Sequence, residues 1–557
     1  MTAHDPFARH ETEAWDAEGA VRAGRARSGA GESAGRVLRP SRRAMLAGAG
    51  LTGVGAATAG LATPTFAVTE DNPFQLGVAS GDPWPDGFVI WTRLALIPEA
   101  EDGRGGMPRS NIVLTWEVAE DEAFTRVIRK DRVTATPETA HAVHVTLTGL
   151  EPQREYWYRF SANGYRSRIG RAKTAPAAGA MPSSLRFTMA SCAQWEHGWF
   201  TSYRHMAQER PDLMLHLGDY YYEHSAAGYP VSSGAVRWHP VGEMRDLAAY
   251  RQRMAIYKSD PDLQAAHAAA PWAVIWDDHE VDNNWADDTP EVVQADWMRR
   301  RRDAFRAYYE NMPLRASSAP TGYDMQLYRR IQWGQLATFH MLDTRQYRDD
   351  QANADLVKII GKQAKDPRRT ITGKAQEDWL LQGFGASTAR WDFVTQQVPF
   401  VQYDRNGGLH VWGDMDSWDG YIGSRGRVID GWVGAGVRNP VVLTGDIHES
   451  FAAEILSDFA DPTSEPVGVE LITTSITSGG DGSDASASNL QYNPHIKFNN
   501  DLRGYLSVEV TPQATTARYR TVDRVSVQNR PVAERARFVV ADGDRRLHKV
   551  HDTPLGS

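Results

Sequence analysis

Four times along this chain a short apolar run stops abruptly on residues that bind metals or move protons. Trp272-Ala-Val-Ile275 ends in Trp276-Asp-Asp-His-Glu-Val-Asp-Asn-Asn-Trp285, a stretch with four acids, one histidine and two amides. Leu185–Ala190 runs into Ser191-Cys-Ala-Gln194, and Leu213–Leu217 into Gly218-Asp-Tyr-Tyr-Tyr-Glu-His224. Val441–Leu443 runs into Thr444-Gly-Asp-Ile-His-Glu449. A short apolar run ending in acid reads as a buried strand whose C-terminal end opens into a polar loop. In open α/β sheets, ligands and catalytic groups gather at that end. So much carboxylate in one loop is costly unless a cation neutralises it. Each segment alone has a plainer reading, because Gly-Asp is often a turn and an aspartate can cap the next helix. All four together point to a site that holds two or three metals.

The rest of the chain sets the architecture around those loops. A length of 557 residues is too much for one core and predicts two to four domains. Residues 1–67 read as an address. Residues 1–40 are polar and lack periodicity, and Ser41-Arg42-Arg43 precedes a Gly/Ala-rich, weakly apolar stretch to Phe66. This pattern predicts a bacterial twin-arginine (Tat) signal, with small residues for cleavage at Thr65-Phe66-Ala67. The protein is then secreted, periplasmic or on the cell surface, delivered by the Tat machinery, which carries folded cargo. The alternative is a membrane anchor, for which so much Gly and Ala makes a marginal span.

Residues 68–178 carry short alternating strands such as Ile112–Val118 and His144–Thr148. Leu150-Glu-Pro152 then turns into the Tyr-rich run Tyr156–Phe160. That pattern predicts a small all-β domain like an immunoglobulin or fibronectin sandwich, with a structural or access-shaping role. Ala175–Pro182 is the expected linker. Over 183–557 strands and helices alternate, which predicts a layered α/β domain. Its expected strands are Leu185–Ser191, Leu213–Gly218, Trp272–Trp276, Phe393–Val398, Val441–Gly445 and Val469–Thr474. Helices are expected over Met244–Tyr257 and Asp296–Glu310, and a hairpin from Gly504–Val510 and Ala517–Val522. The Arg299–Arg302 run reads as a solvated helix face, and Trp379 and Trp391 as core.

A net charge of −9 and a pI near 6.0 argue against broad nucleic-acid binding. The single cysteine, Cys192, excludes any intrachain disulfide.

A bridging carboxylate such as Asp219 can hold two cations about 4 Å apart, the spacing used for in-line phosphoryl displacement. Asp446 and His448 can face neighbouring metals. Cys192 as thiolate and Tyr222 as phenolate must both lose protons, which a strongly Lewis-acidic ion such as ferric iron drives near neutrality. An isolated cysteine is more often a small buried hydrophobe; its place at a strand end beside the other ligands reverses that reading. Tyr220 and Tyr221 are expected to pack.

Ser-Cys-Ala-Gln, Gly-Asp-Tyr-Tyr-Tyr-Glu, Trp-Asp-Asp-His-Glu-Val-Asp-Asn-Asn and Gly-Asp-Ile-His resemble the motifs of PhoD-type alkaline phosphatases, within the calcineurin-like metallophosphoesterase superfamily. The likeness extends to Phe74–Pro83, Ile90–Leu94, Leu342–Arg348 and Asn493–Phe498. It implies a four-layer α/β fold, two packed mixed sheets flanked by helices, behind the small β domain. It implies ferric iron, with calcium as one or two ions. Carried over, iron falls to Cys192, Asp219, Tyr222 and His448. Calcium falls to Asp219, Asp278, Asp446 and an amide of Asn283 or Asn284. Loose geometry and mixed oxygen donors suit calcium better than magnesium. Asp278-His279-Glu280 stands where the wider superfamily has Asn-His-Glu or Asn-His-Asp.

The expected activity is hydrolysis of phosphomonoesters, and of diesters as a further capacity, by in-line attack of a water acidified by the ions. His279 is the candidate for orienting the phosphoryl group or protonating the leaving oxygen. His495 is a second candidate, although a surface role is as plausible for it. Arg345 could clamp phosphate through its planar fork, or pair with Asp343 or Asp349. Phospholipase D-type cleavage of phospholipid head groups on the same metals is the rival activity. An exported binding protein without turnover is the rival class. A monomer is expected. The Gly/Ser/Asp run Ser478–Ser486 reads as a mobile rim or a plain loop.

Overall fold

The computed structural model describes residues 72–240 and 242–555. The expected Tat signal and its cleavage point lie outside those residues. Two mixed sheets dominate, one of ten strands and one of seven. They face each other across a core in which Phe187 meets Phe339 and Phe393 edge-on, with ring centroids 5.3 and 5.6 Å away. Helices Leu247–Lys258, Pro261–Ala269 and Trp297–Asn311 pack with the larger sheet, and Gly373–Ala386 and Ile422–Gly434 with the smaller. This is the four-layer arrangement expected.

The centre of the larger sheet is the parallel trio Leu185–Ala190, Leu213–Leu217 and Pro271–Ile275. The smaller sheet contributes the parallel strand Pro440–Thr444, between Trp391–Thr395 and Pro466–Ile472. All are buried along their whole length, as strands covered on both faces must be. Only Arg186 in the first of them breaks the pattern. The expected strands fall within a few residues of these bounds, and both long helices sit one to three residues later than expected.

The segment before the linker departs from a sandwich closed on itself. Val78–Trp84 pairs in parallel with Pro271–Ile275, and Gly87–Arg93 and Ala142–Leu147 follow it outward. These three strands form one edge of the ten-stranded sheet. Only Ile112–Ala119, Val127–Ala135, Glu155–Ala162, Tyr165–Arg166 and Gly170–Lys173 make a separate sheet. The two pack through Phe88, Ile90, Leu114, Tyr156 and Phe160. The physical reason is legible in Gly87–Arg93, which is buried at every position. An outer sandwich strand would alternate. Here Trp91 reaches past the sheet to donate to the Glu310 carbonyl of a helix.

The Arg299–Arg302 face is only half solvated. Arg299 and Arg302 are exposed, but Arg300 and Arg301 are buried. Arg300 reaches the Tyr250 hydroxyl, Glu243 and Asp282, because the helix is wedged against Leu247–Lys258.

A candidate metal centre between the two sheets

The four expected loops meet where the C-terminal ends of the parallel strands of both sheets converge. An isolated bridge between Ser191 and Ser475 and the side chain of Gln397 tie the sheets together there. The Gln397 amide donates to the Trp276 and Leu342 carbonyls at 2.8 and 2.9 Å. Ligand atoms of Cys192, Asp219 and His448 lie within 4.8 Å of one another. So do those of Asp219, Asp278 and His279, and those of Asp277, Asp278 and Asp446. Asp219 and Asp278 are shared between groups, so the three form one continuous donor cluster.

The backbone is bent to make this possible. Cys192, Asp219, Asp446 and His448 all have left-handed φ, at 57°, 53°, 66° and 60°. Non-glycine residues adopt that conformation rarely and at a cost, and such residues concentrate at functional sites. Each follows a strand end by two to four residues, and the reversed φ swings its side chain across the sheet ends. Gly218 has φ 105°, and a Cβ there would sit 2.3 Å from the Asp277 Cβ. The loops are also zipped together: Cys192 N–H donates to the Gly218 carbonyl at 3.1 Å and Ala193 N–H to that of Asp219 at 2.8 Å.

Tyr222 belongs to the first group. Its hydroxyl donates to Asp219 Oδ2 at 2.9 Å and lies 3.2 Å from His448 Nε2. Ser478 fixes it from behind, with its hydroxyl 2.7 Å from the Tyr222 oxygen and 2.8 Å from the Cys192 carbonyl. The Ser478–Ser486 run therefore starts inside the site. Arg503 anchors the run by donating to the Gly480 carbonyl and ties it to the neighbouring loop by donating to the His448 carbonyl. Tyr220 and Tyr221 are buried, as expected of packing residues.

His279 is held by Glu223, whose Oε2 lies 2.7 Å from Nδ1 while its other oxygen accepts the Asn283 N–H at 2.9 Å. The His279 ring rests on Tyr222, with centroids 4.1 Å apart. Nε2 is left facing Asp278, 4.0 Å away.

The protonation balance of these side chains shows what charge they call for. Burial pushes the Cys192 thiol, the Tyr222 phenol and the Asp219 and Asp446 carboxyls well above their usual ranges, and neighbouring carboxylates push the same way. Burial lifts Asp277 to about 6 although Arg345 pulls it down. Burial acts to lower His279, but Asp278, Glu223 and Asp219 overcome it and hold the ring well above a normal histidine. Asp219 Oδ1 and Asp277 Oδ2 are buried with no hydrogen-bond partner. Orphaned carboxylate oxygens beside a thiol, a phenol and an imidazole fit a set of metal ions, which supply the positive charge these groups need.

Three expectations change. Arg345 is fully buried and spends its fork inside the protein on Asp277 and Asp416, with Asp278 and Asp446 at 3.6 and 3.9 Å. Its guanidinium pairs with neither Asp343 nor Asp349 and is a countercharge for the carboxylates, while its remaining nitrogen, buried without a hydrogen-bond partner among the described residues, faces Asp278 and Asp446. His495 is not brought to the cluster. Its Nε2 lies 2.7 Å from the Gln402 carbonyl and its ring packs on Phe459. Asn500 pairs with Ser450 near His448, which leaves His495 at the far end of the strand, about 16 Å along it. Asn283 turns its amide to Glu291 at 2.7 Å. The Asn284 amide donates to Asp355 Oδ2 at 2.8 Å, while its backbone N–H donates to Asp278 Oδ2 at 2.8 Å and its φ is 45°.

Glu223 and Glu280 also hold the site, through the His279 ring and through the N–H groups of Asp219, Tyr220 and Asp277, and the sequence marks them only by their place inside the ligand-rich loops. Asp416 bonds Arg345, Arg348 and Gln351, and the sequence around it carries no comparable signal.

Residues 187–519 match the PhoD-like phosphatase family and 60–176 match its N-terminal domain. The chain is 47% identical over 499 residues to alkaline phosphatase D of Bacillus subtilis, covering 89% of this chain and 85% of that one. It superposes on a solved structure of PhoD with a TM-score of 0.85 at 47% identity, over 89% of this chain and 94% of the other. A purple acid phosphatase from yellow lupin (Lupinus luteus) seeds superposes with a TM-score of 0.51 at 12% identity, over 84% of this chain and 73% of that one; this likeness concerns the fold.

Proposed function

This chain belongs to the PhoD-like phosphatase family and is a phosphoric ester hydrolase, and on that footing we propose that it is an exported alkaline phosphatase acting mainly on phosphomonoesters with ferric iron and calcium. The observation that carries the metal assignment is the cluster of four left-handed residues, Cys192, Asp219, Asp446 and His448, that converge thiol, carboxylate and imidazole from two sheets. We assign iron to Cys192, Asp219, Tyr222 and His448. Calcium goes to Asp219, Asp278 and Asp446, with an amide oxygen of Asn283 or Asn284. A thiol and a phenol that must both lose protons favour a strongly Lewis-acidic ion such as ferric iron, and carboxylate with amide oxygen favours calcium. Such ions, when bound, lower the pKa of water and neutralise charge on a phosphoryl group.

The chain's own groups supply the rest. Glu223 fixes the His279 ring through Nδ1, so that Nε2 faces the cluster and can hold a proton for the leaving oxygen. Arg345 opposes the effect of burial on Asp277 and Asp446 and fixes the Asp277 carboxylate in place before any substrate arrives. Export rests on Ser41-Arg42-Arg43 and the stretch behind it. Among the described residues no helix is long and apolar enough to cross a membrane.

One preparation tests the reading. Turnover of p-nitrophenyl phosphate should exceed that of its bis ester and of phosphatidylcholine; dominant turnover of the lipid would replace the proposal with a phospholipase. Elemental analysis should find iron and calcium, and the iron-loaded enzyme should absorb visible light. Cys192→Ala should lose iron and activity together. If both survive that change, the assignment of Cys192 is wrong.

A further inference from the structure

Beside the cluster, on its solvent side, Glu223, His224 and His279 bring a carboxylate and two imidazoles together, with ligand atoms within 4.8 Å of one another. None of the three is among the metal ligands assigned above, and His224 has no role there. Glu223 is buried and His279 nearly so, while the His224 side chain is 28% exposed, which opens one side of the trio to solvent. The Glu223 oxygens lie 2.7 Å from His279 Nδ1 and 3.8 Å from His224 Nε2. Tetrahedral zinc ligands at about 2.1 Å from the metal stand about 3.4 Å from each other. The trio brackets that spacing and needs only small side-chain rotations to reach it.

The surroundings hold the three in place. Arg253 donates to the Tyr222 and His224 carbonyls, fixing the backbone on both sides of Glu223. The second Glu223 oxygen is tied to the Asn283 N–H. The two imidazoles meet at 5.3 Å between centroids, and Tyr229 lies against both rings. The His224 ring makes no hydrogen bond among the described residues, so a metal would not have to displace one there. Two nitrogen donors with one carboxylate select a zinc-type divalent ion over calcium, which takes oxygen.

We propose that Glu223, His224 and His279 form an inhibitory site for a zinc-type divalent cation, separate from the metals that carry the reaction. Binding at His279 Nδ1 releases that proton to solvent and takes Glu223 out of its hydrogen bond. Drawn toward the zinc, the ring no longer holds Nε2 in the position facing Asp278, so turnover falls. The loss of turnover rests on the reading of His279 as proton donor; the binding itself does not.

The test uses the metal-loaded enzyme, titrated with zinc chloride in excess calcium. Bound zinc is counted by elemental analysis after desalting and located by anomalous scattering at the zinc edge. The wild type is expected to take up one further zinc between His224 and His279 and to lose activity about tenfold on saturation. His224→Gln should keep its zinc-free activity and bind zinc about tenfold less tightly. No further zinc in the wild type overturns the proposal. So does inhibition that His224→Gln leaves unchanged, with zinc found in place of calcium or iron. Zinc located at His224 with undiminished activity upholds the site and overturns the role given to His279.

Discussion

The backbone N–H of Asp219 donates to the carboxylate of Glu280 at 3.0 Å, so the shared ligand of one strand end is positioned by an acid from the next. Glu280 also accepts the N–H groups of Tyr220 at 2.6 Å and Asp277 at 2.8 Å. Burial still pushes it up to about 8 against those three bonds. An amide in its place would face one of the N–H groups with its own donor. Glu280→Gln is therefore expected to cost about 2–4 kcal/mol of stability. It should also lower iron content more than it lowers yield of folded protein. Thermal unfolding together with metal analysis checks this, and a variant with wild-type metal content would refute the positioning role.

Removing the metals should make stability fall as pH rises. In the bare cluster burial raises Asp277 to about 6 and holds Asp219 and Asp446 well above the usual carboxylate range. A carboxyl whose folded pKa is raised keeps its proton in the native state while the unfolded chain has lost it. Native stability then drops from about pH 4 upward, through about 6 at Asp277 and higher at its neighbours. Metal binding removes the penalty because the ions stabilise the ionised forms. The gap in melting temperature between loaded and chelated protein should be wider at about pH 8.5 than at about pH 5.5. An equal gap at both would mean that these carboxylates are not what the metals compensate.

The sequence disclosed the parts of this site that lie next to a strand end, because an abrupt change from apolar to ligand-type residues survives without any structure. Cys192, Asp219, Asp278, Asp446 and His448 all stand within four residues of such a change. What it hid is set by long-range contact. Asp416 reaches Arg345 from 71 positions away, and Ser478 reaches Tyr222 from 256. The same holds for the fold. The central strands were legible from their buried runs, whereas the attachment of Val78–Trp84 to Pro271–Ile275 depends on a pairing that no local pattern encodes. The Phe88-Val-Ile-Trp91 run was the available hint, since a strand without alternation has neighbours on both faces.

Gly218 should tolerate no side chain. Its φ of 105° is unfavourable for any L residue, and a Cβ would meet the Asp277 Cβ at 2.3 Å and the Asp277 nitrogen at 2.6 Å. The backbone at Asp277 cannot yield, because it is bonded to Glu280. Gly218→Ala is expected to cost more than about 3 kcal/mol and to separate the Asp219 and Asp277 loops. Soluble yield, melting temperature and iron content should fall together. A variant of normal stability would show that the two loops are less tightly packed than these distances state.

His495 should matter for acid stability and not for turnover. It is buried, gives its Nε2–H to the Gln402 carbonyl, and lies against Phe459. Burial lowers it to about 4 against that hydrogen bond. In the unfolded chain the ring takes up a proton near pH 6.5, whereas the folded protein resists until about 4. The unfolded state therefore binds more protons in between, and stability is lost as pH falls through that window, by up to about 3 kcal/mol. His495→Gln keeps a donor for Gln402 and removes the titration. Its stability should be flatter between about pH 4 and 6.5 than that of the wild type, with kcat on p-nitrophenyl phosphate within about twofold. A large fall in kcat at unchanged melting temperature would return His495 to the reaction and require the strand that carries it to move toward the metals.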